Sequence, residues 1–74
     1  MNAAYLRYLL AIKGISAGQL AEEMEWSSAV CYRRRYGLTD WTVPEVRKLS
    51  QMGFTNNEIK NIFFSDDVSK VNQE

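Results

Sequence analysis

Apolar residues recur every three or four positions along most of this chain, the spacing of one face of an α-helix. Polar clusters and single glycines interrupt this pattern and divide it into segments. No stretch alternates apolar and polar residues as a half-buried strand does. The pattern predicts helices over residues 3–13, 17–24, 28–36, 43–52 and 56–64, and so an all-α bundle of about five short helices.

Residues that cap helices stand at the predicted starts. Ser16, Thr42 and Thr55 are each followed three positions later by Gln or Glu. This is the capping-box spacing, in which the two side chains satisfy free backbone N–H groups. Ser27 and Asn2 are N-cap candidates for the other two helices. A glycine follows the first, third and fourth helices, where a left-handed residue ends a helix.

The apolar stripes and the large residues between helices are expected to form the core. The stripes consist of Leu6, Leu9, Leu10, Leu20, Ala21, Met24, Val30, Cys31, Val46, Leu49, Ile59, Ile62 and Phe63. The residues expected to fill gaps between helices are Ile15, Trp26, Leu38, Trp41 and Phe54. Residues 65–74 are polar and predict a flexible tail, so the domain is expected to span residues 1–64.

The composition excludes several classes of protein. The chain has one Cys and no His, which argues against an internal disulfide and a zinc site. No apolar run approaches the roughly 20 residues that span a bilayer, and no signal peptide is visible, so a cytoplasmic protein is expected. The net charge is zero, but residues 1–37 carry +2 and residues 38–74 carry −2. Nucleic-acid-binding domains are usually basic, and only the first half fits that expectation.

Residues 17–36 predict a short helix, a tight turn and a second helix that ends in three arginines. This is the layout of a helix-turn-helix reader, whose second helix enters the major groove of DNA. The spacing directs Ser28, Ala29, Tyr32 and Arg33 toward base edges, and Arg33 suits a bidentate contact with guanine. Ser27 would begin the helix at a phosphate. Successive helical residues diverge by about 100°, so the next two arginines should point elsewhere, one to the DNA backbone and one over the core.

The chain resembles the bacteriophage Cro/C1-type helix-turn-helix family, also called the XRE family, over roughly residues 4–64. Small regulators from phages and prophages of Gram-positive bacteria look most similar. The resemblance rests on Leu20-Ala21-Glu22-Glu23-Met24, on Ser27 to Gly37, on Asp40-Trp41-Thr42 through Glu45-Val46, and on Thr55 to Phe64.

The resemblance implies a lambda-repressor-like bundle that binds operator DNA as a homodimer and regulates transcription, with the protein on the nucleoid of a bacterial host. The family's base-reading positions fall on Ser28, Ala29, Tyr32 and Arg33. Together with the residues argued from spacing, the expected phosphate contacts are Ala17, Gly18, Ser27, Arg34, Arg35, Tyr36, Leu38 and Thr39. No metal or other cofactor is implied.

The chain departs from the family pattern at three places. Glu25 stands at the turn, where glycine is usual, and a left-handed non-glycine residue costs about 1–2 kcal/mol. Ala17 replaces a frequent glutamine at the start of the second helix and has no side-chain donor. Arg34 and Arg35 include a position that is commonly apolar.

Other interpretations of the function and of single residues remain open. The neutral charge, Ala17 and Glu25 favour a helix-turn-helix fold that binds protein, as an antirepressor or inhibitor of a host or phage factor. The three arginines can also be a solvated helix face. Phe64 is expected either in a dimer contact or over the first helix of its own chain. An enzyme is not expected, because Cys31 has no His to activate it.

Overall fold

The computed structural model describes residues 1–64, which form five helices and no strand. They are α1 (Ala3–Ile12), α2 (Ala17–Met24), α3 (Ser28–Arg35), α4 (Val43–Gln51) and α5 (Asn56–Phe63). Every predicted boundary agrees to within one residue, and the predicted all-α class is confirmed. The predicted tail, residues 65–74, lies outside the described residues.

Each helix begins at the predicted N-cap. The side-chain oxygens of Asn2, Ser16, Ser27, Thr42 and Thr55 each accept a hydrogen bond from the backbone N–H three residues later. In α2, α4 and α5 the glutamine or glutamate at that third position also accepts from the N-cap N–H, which completes the capping box. These contacts span only three residues, so they fix the helix starts locally.

All five helices contribute to one core. The buried residues are Leu6, Leu9, Leu10, Leu20, Cys31, Leu49, Phe54 and Ile62. Ile15, Trp26 and Trp41 pack against them from the connections, as predicted. The N-terminus is tied to α5, because the N–H of Asn2 donates to the carbonyl oxygen of Ile62 at 2.6 Å. No helix within residues 1–64 is long and apolar enough to cross a membrane.

The prediction that Leu38 fills a gap between helices is wrong, because this side chain is 64% exposed. Trp41, three positions further on, packs against the core instead. Its ring meets the ring of Trp26 edge-on at 5.2 Å and that of Phe63 at 5.5 Å. Leu38 follows the left-handed Gly37, and its backbone N–H is held to α3 because it donates to the carbonyl oxygen of Arg33 at 2.9 Å.

The first four helices end in the same way, although only three of them use glycine. In each, a backbone N–H donates to the carbonyl oxygen five residues earlier, and a left-handed residue stands between. That residue is glycine after α1, α3 and α4. After α2 it is Glu25, with φ 60° and ψ 41°. The departure from glycine therefore leaves the turn geometry unchanged and places a strained residue between α2 and α3.

Replacing Glu25 by glycine should stabilise the protein. Removing the strain of the left-handed residue should stabilise the folded protein by about 1–2 kcal/mol. Glycine also has more conformational freedom in the unfolded chain, which should cancel about 0.5–1 kcal/mol of that gain. We expect the free energy of unfolding, measured by urea denaturation, to rise by about 0.5–1 kcal/mol. Gly14→Ala is the matched control: its φ is +73° and nothing lies within 4 Å of an added Cβ, so strain alone should destabilise it. A Glu25→Gly variant no more stable than the parent would contradict this account.

Candidate nucleic-acid interface

One face of α3 is exposed and carries all the predicted base-reading residues. Ser28, Ala29, Tyr32 and Arg33 are exposed, as is Tyr36 just past the helix end. They lie on one side because their spacing follows the helical repeat. The opposite side holds Cys31, which is 2% exposed. The structure therefore brings the four predicted residues together on one accessible surface.

The position of α3 is supported by its packing against α2. The two helices pack against each other across a turn of three residues, 25–27. The thiol of Cys31 donates to the carbonyl oxygen of Ala17 at 3.4 Å, which sets the start of α2 beside the middle of α3. The first residues of α2 and the outer face of α3 are thus held by one packed unit. The contact also explains why a small apolar residue occupies position 31.

Arg33 and the two tyrosines differ in how tightly they are held. The rings of Tyr32 and Tyr36 pack at 4.6 Å between centroids, so each restrains the other. Arg33 is exposed and pairs with no carboxylate of residues 1–64. An arginine without a protein partner keeps its donors available for a planar acceptor such as guanine or phosphate.

Arg34, which was predicted to contact either a phosphate or the core, forms hydrogen bonds within the protein. Its Nε and Nη2 donate to the carboxylate of Glu45 at 3.2 and 3.4 Å, and its Nη1 donates to the hydroxyl of Thr39 at 2.7 Å. The Arg34 and Glu45 side chains are only 17% and 18% exposed. The indole N–H of Trp41 also donates to the carbonyl oxygen of Arg34 at 3.0 Å. Arg34 therefore binds α3 to α4, and Thr39 is occupied with it.

Glu45 is the acceptor at the centre of this contact. Its carboxylate accepts from Arg34, from the indole N–H of Trp26 at 3.2 Å, and from the backbone N–H of Thr42 at 2.8 Å. Burial by itself raises the pKa of Glu45, but the hydrogen bonds from Thr42, Arg34 and Trp26 outweigh it and lower this pKa overall. Glu45 is thus ionised at neutral pH, and it joins the turn before α3, α3 itself and the start of α4.

Arg35 lies near Arg7, an arginine for which the sequence predicted no role. Arg7, on α1, donates from Nη1 to the carbonyl oxygen of Arg35 at 3.2 Å. Its guanidinium carbon lies 4.1 Å from the ring centroid of Tyr36, and that of Arg35 lies 5.5 Å from the same ring. Neither arginine pairs with a carboxylate of the described residues. Local sequence patterns carry little signal for Arg7, because its partners lie 28 or more positions away.

The other predicted phosphate contacts are distributed around this surface. Ala17, Gly18, Ser27, Tyr36 and Leu38 are exposed. The hydroxyl of Ser27 accepts from the N–H of Val30 at 3.2 Å, and its own O–H stays able to donate. The first N–H groups of α2 have no acceptor within the helix, as at any helix start. Backbone donors are therefore available where Ala17 lacks a polar side chain.

Arg34→Met should destabilise the protein, whereas Arg33→Met should not. Removing Arg34 leaves Glu45 without its charged partner in a mostly buried position, and hydrogen bonds to charged groups are worth about 1.5–3 kcal/mol. We expect thermal and urea denaturation to show a loss of that size. The Arg33 side chain is exposed and forms no ion pair within residues 1–64, so its variant should lie within about 0.5 kcal/mol of the parent. Equal effects of the two substitutions would show that the Arg34–Glu45 contact is not formed.

Comparison with protein-family models, with curated proteins and with solved structures finds no match to this chain. The case for a function therefore comes from the geometry of α2, α3 and their neighbours. The fold that this geometry supports is a compact five-helix, all-α bundle.

Proposed function

We propose that this protein binds duplex DNA sequence-specifically and regulates transcription, as a phage or prophage repressor of the Cro/C1-type helix-turn-helix family. It acts without a cofactor and without catalysing a reaction, in the cytoplasm of a bacterial host. The observation that carries the proposal is the exposed face of α3, on which Ser28, Ala29, Tyr32 and Arg33 lie together. The hydrogen bond from Arg34 to Glu45 holds α3 against α4. A rigid helix with free donors is what major-groove reading requires.

Each residue of this face has a role set by its chemistry. Arg33 contacts guanine bidentately, a pairing worth about 1–3 kcal/mol of discrimination. Ser28 contacts a base edge with little selectivity, and Ala29 contacts a thymine methyl group. Tyr32, held against Tyr36, supplies a hydroxyl at a fixed position. Arg33 is therefore the main determinant of sequence preference.

The proposed repressor is a homodimer, and the apolar groove between α4 and α5 is its contact surface. This groove has a volume of about 720 Å³ and is lined by Val43, Val46, Ile59, Phe63 and Phe64, among others. Val43 is 64% exposed and Phe64 is 54% exposed. Asp40 and Arg47 stand at the same groove. In a two-fold dimer the same patch meets itself, so opposite charges within one patch allow each chain to pair with the other.

Phe64 was expected either in a dimer contact or over α1, and its position supports the first alternative. It lines the α4–α5 groove together with Val43, and half of its surface remains open. A groove of this kind also supports the second candidate function, a helix-turn-helix fold that binds another protein. The zero net charge of the chain favours that candidate as well.

The first experiment is selection of bound sequences from a pool of randomised duplex DNA at two salt concentrations. We expect a palindrome with half-sites about one helical turn apart. Its affinity should fall steeply with salt, because phosphate contacts release counterions. In the same selection, Arg33→Ala should lose the preference at one position of each half-site and about 1–3 kcal/mol of binding to the selected operator.

Lys60→Ala is the control, since it removes one exposed charge on α5 and should leave the selected sequence unchanged. An Arg33→Ala variant with the parent's sequence preference would remove the base-reading role. No retained DNA at either salt concentration would make protein binding the leading function.

Phe64→Asp should prevent dimer formation if the groove is the contact surface, because it places a charge among the apolar residues that line the groove. Sedimentation velocity should show the parent as a dimer and the variant as a monomer. Ile12→Asp is the matched control: Ile12 is an exposed apolar residue, 60% accessible, that does not line the groove. If the parent stays monomeric with and without its operator, the groove is not a dimer contact, and binding of another protein becomes its expected role.

A further inference from the structure

The outer side of α1 exposes four residues, and none of them is charged. Ala4, Tyr8 and Ala11 follow the helical repeat, so they lie in one stripe, with Ile12 beside it. Tyr8 is 57% exposed and Ile12 is 60% exposed. We call these four residues the α1 face. Each of the other four helices exposes at least one charged residue, namely Glu22, Arg33, Arg47 and Lys60.

The two basic residues next to the α1 face are engaged within the chain. Lys13 pairs with Glu58 at 3.0 Å, and Arg7 donates to the carbonyl oxygen of Arg35 at 3.2 Å. The guanidinium carbon of Arg7 also lies 4.1 Å from the ring centroid of Tyr36. Burying a charge without a partner is costly. A surface that covers the α1 face therefore avoids this cost, because the nearby charges already have contacts of their own.

The shape of the α1 face suits a second copy of itself. The ring of Tyr8 stacks on that of Tyr5 at 6.2 Å, and Tyr5 packs against the core, so the Tyr8 ring is held in place. An ordered aromatic ring supplies contact area at a low cost in conformational freedom. Ala4 and Ala11, on either side of Tyr8 along the stripe, leave room for an opposing ring. In a two-fold contact each Tyr8 can therefore lie over an alanine of the other copy.

The area of the α1 face determines what kind of contact it can make. One half-exposed tyrosine, one half-exposed isoleucine and two alanines offer on the order of 300 Å². A stable dimer buries about 800 Å² on each partner. The α1 face is thus too small to join two free molecules. It shares no residue with the α4–α5 groove or with the four predicted base-reading residues, so it stays open when both of those surfaces are occupied.

We propose that the α1 face is the contact between two copies of this protein bound at neighbouring operators, and that it makes their binding cooperative. The inference rests on the proposed function, since the DNA holds the two copies side by side. Such tethering raises the effective concentration of one copy around the other to about the millimolar range, at which a small contact suffices. A second copy fits better than a different protein, because the face has no charges with which to select another partner.

The test compares DNA that carries the selected operator once with DNA that carries it twice. The distance between the two operators is varied in single base-pair steps, and binding is followed by electrophoretic mobility shift. We expect the second dimer to bind about 5- to 150-fold more tightly than a dimer on the single operator. The effect should recur about every 10.5 base pairs, because the α1 faces meet only when both operators lie on the same side of the duplex.

Two substitutions alter the α1 face in different ways. Ile12→Asp places a charge on it, and Tyr8→Ala removes its aromatic ring. Both variants should lose the cooperativity and remain dimers, because neither residue lines the α4–α5 groove. Asn57→Asp, at an exposed position of α5, adds the same charge elsewhere. This matched control should keep the cooperativity and have the same affinity for the single operator as Ile12→Asp. Ile12→Leu keeps the apolar contact and should behave as the parent.

Circular dichroism should establish that each variant is folded, and Tyr8→Ala takes the place of Ile12→Asp if the latter is not. Undiminished cooperativity in a folded variant of either kind would overturn the inference. If the parent binds one operator but shows no cooperativity at any spacing, this inference alone fails, and another protein becomes the expected partner of the α1 face. If the parent does not bind the single operator, the proposed function fails together with it.

Discussion

The contact between Arg34 and Glu45 is the interaction on which the arrangement of the exposed surface depends. Glu45 caps α4 through the N–H of Thr42, receives the guanidinium of Arg34 from α3, and accepts from Trp26 in the turn before α3. One carboxylate therefore joins the turn before α3, α3 itself and the start of α4. Its low exposure means that breaking one partner leaves the other uncompensated, which makes the contact costly to lose.

Three consecutive arginines have three different environments because successive helical residues point about 100° apart. Arg33 is exposed and pairs with no carboxylate of residues 1–64, Arg34 is paired with Glu45, and Arg35 lies beside Tyr36 and Arg7. The charge of Arg34 is neutralised locally, so it contributes little to the outer surface. Arg7 adds a positive charge from a helix outside the α2–α3 unit. A chain of zero net charge thus carries a positive surface, since salt screens distant charges over about 10 Å.

The two proposed contact surfaces are built in different ways. The α3 face is polar and is supported by hydrogen bonds that reach α4, whereas the α4–α5 groove is apolar and includes Val43 and Phe64, each more than half exposed. Trp41 connects them: its indole donates to Arg34, and its ring packs against Phe63, which lines the groove. One side chain therefore contacts both the end of α3 and a residue of the groove.

The sequence by itself determined the five helices, their caps and the four residues on the outer face of α3. Those features depend on contacts within three to five residues or on the helical repeat, so local composition suffices. It did not determine that Leu38 is exposed, that Arg34 pairs with Glu45, or that Arg7 joins Arg35. These contacts join residues on separate helices, 11 and 28 positions apart for the two arginine pairs. Only the packing of the helices decides which charged side chains meet, because capping and periodicity carry no information about neighbours in space.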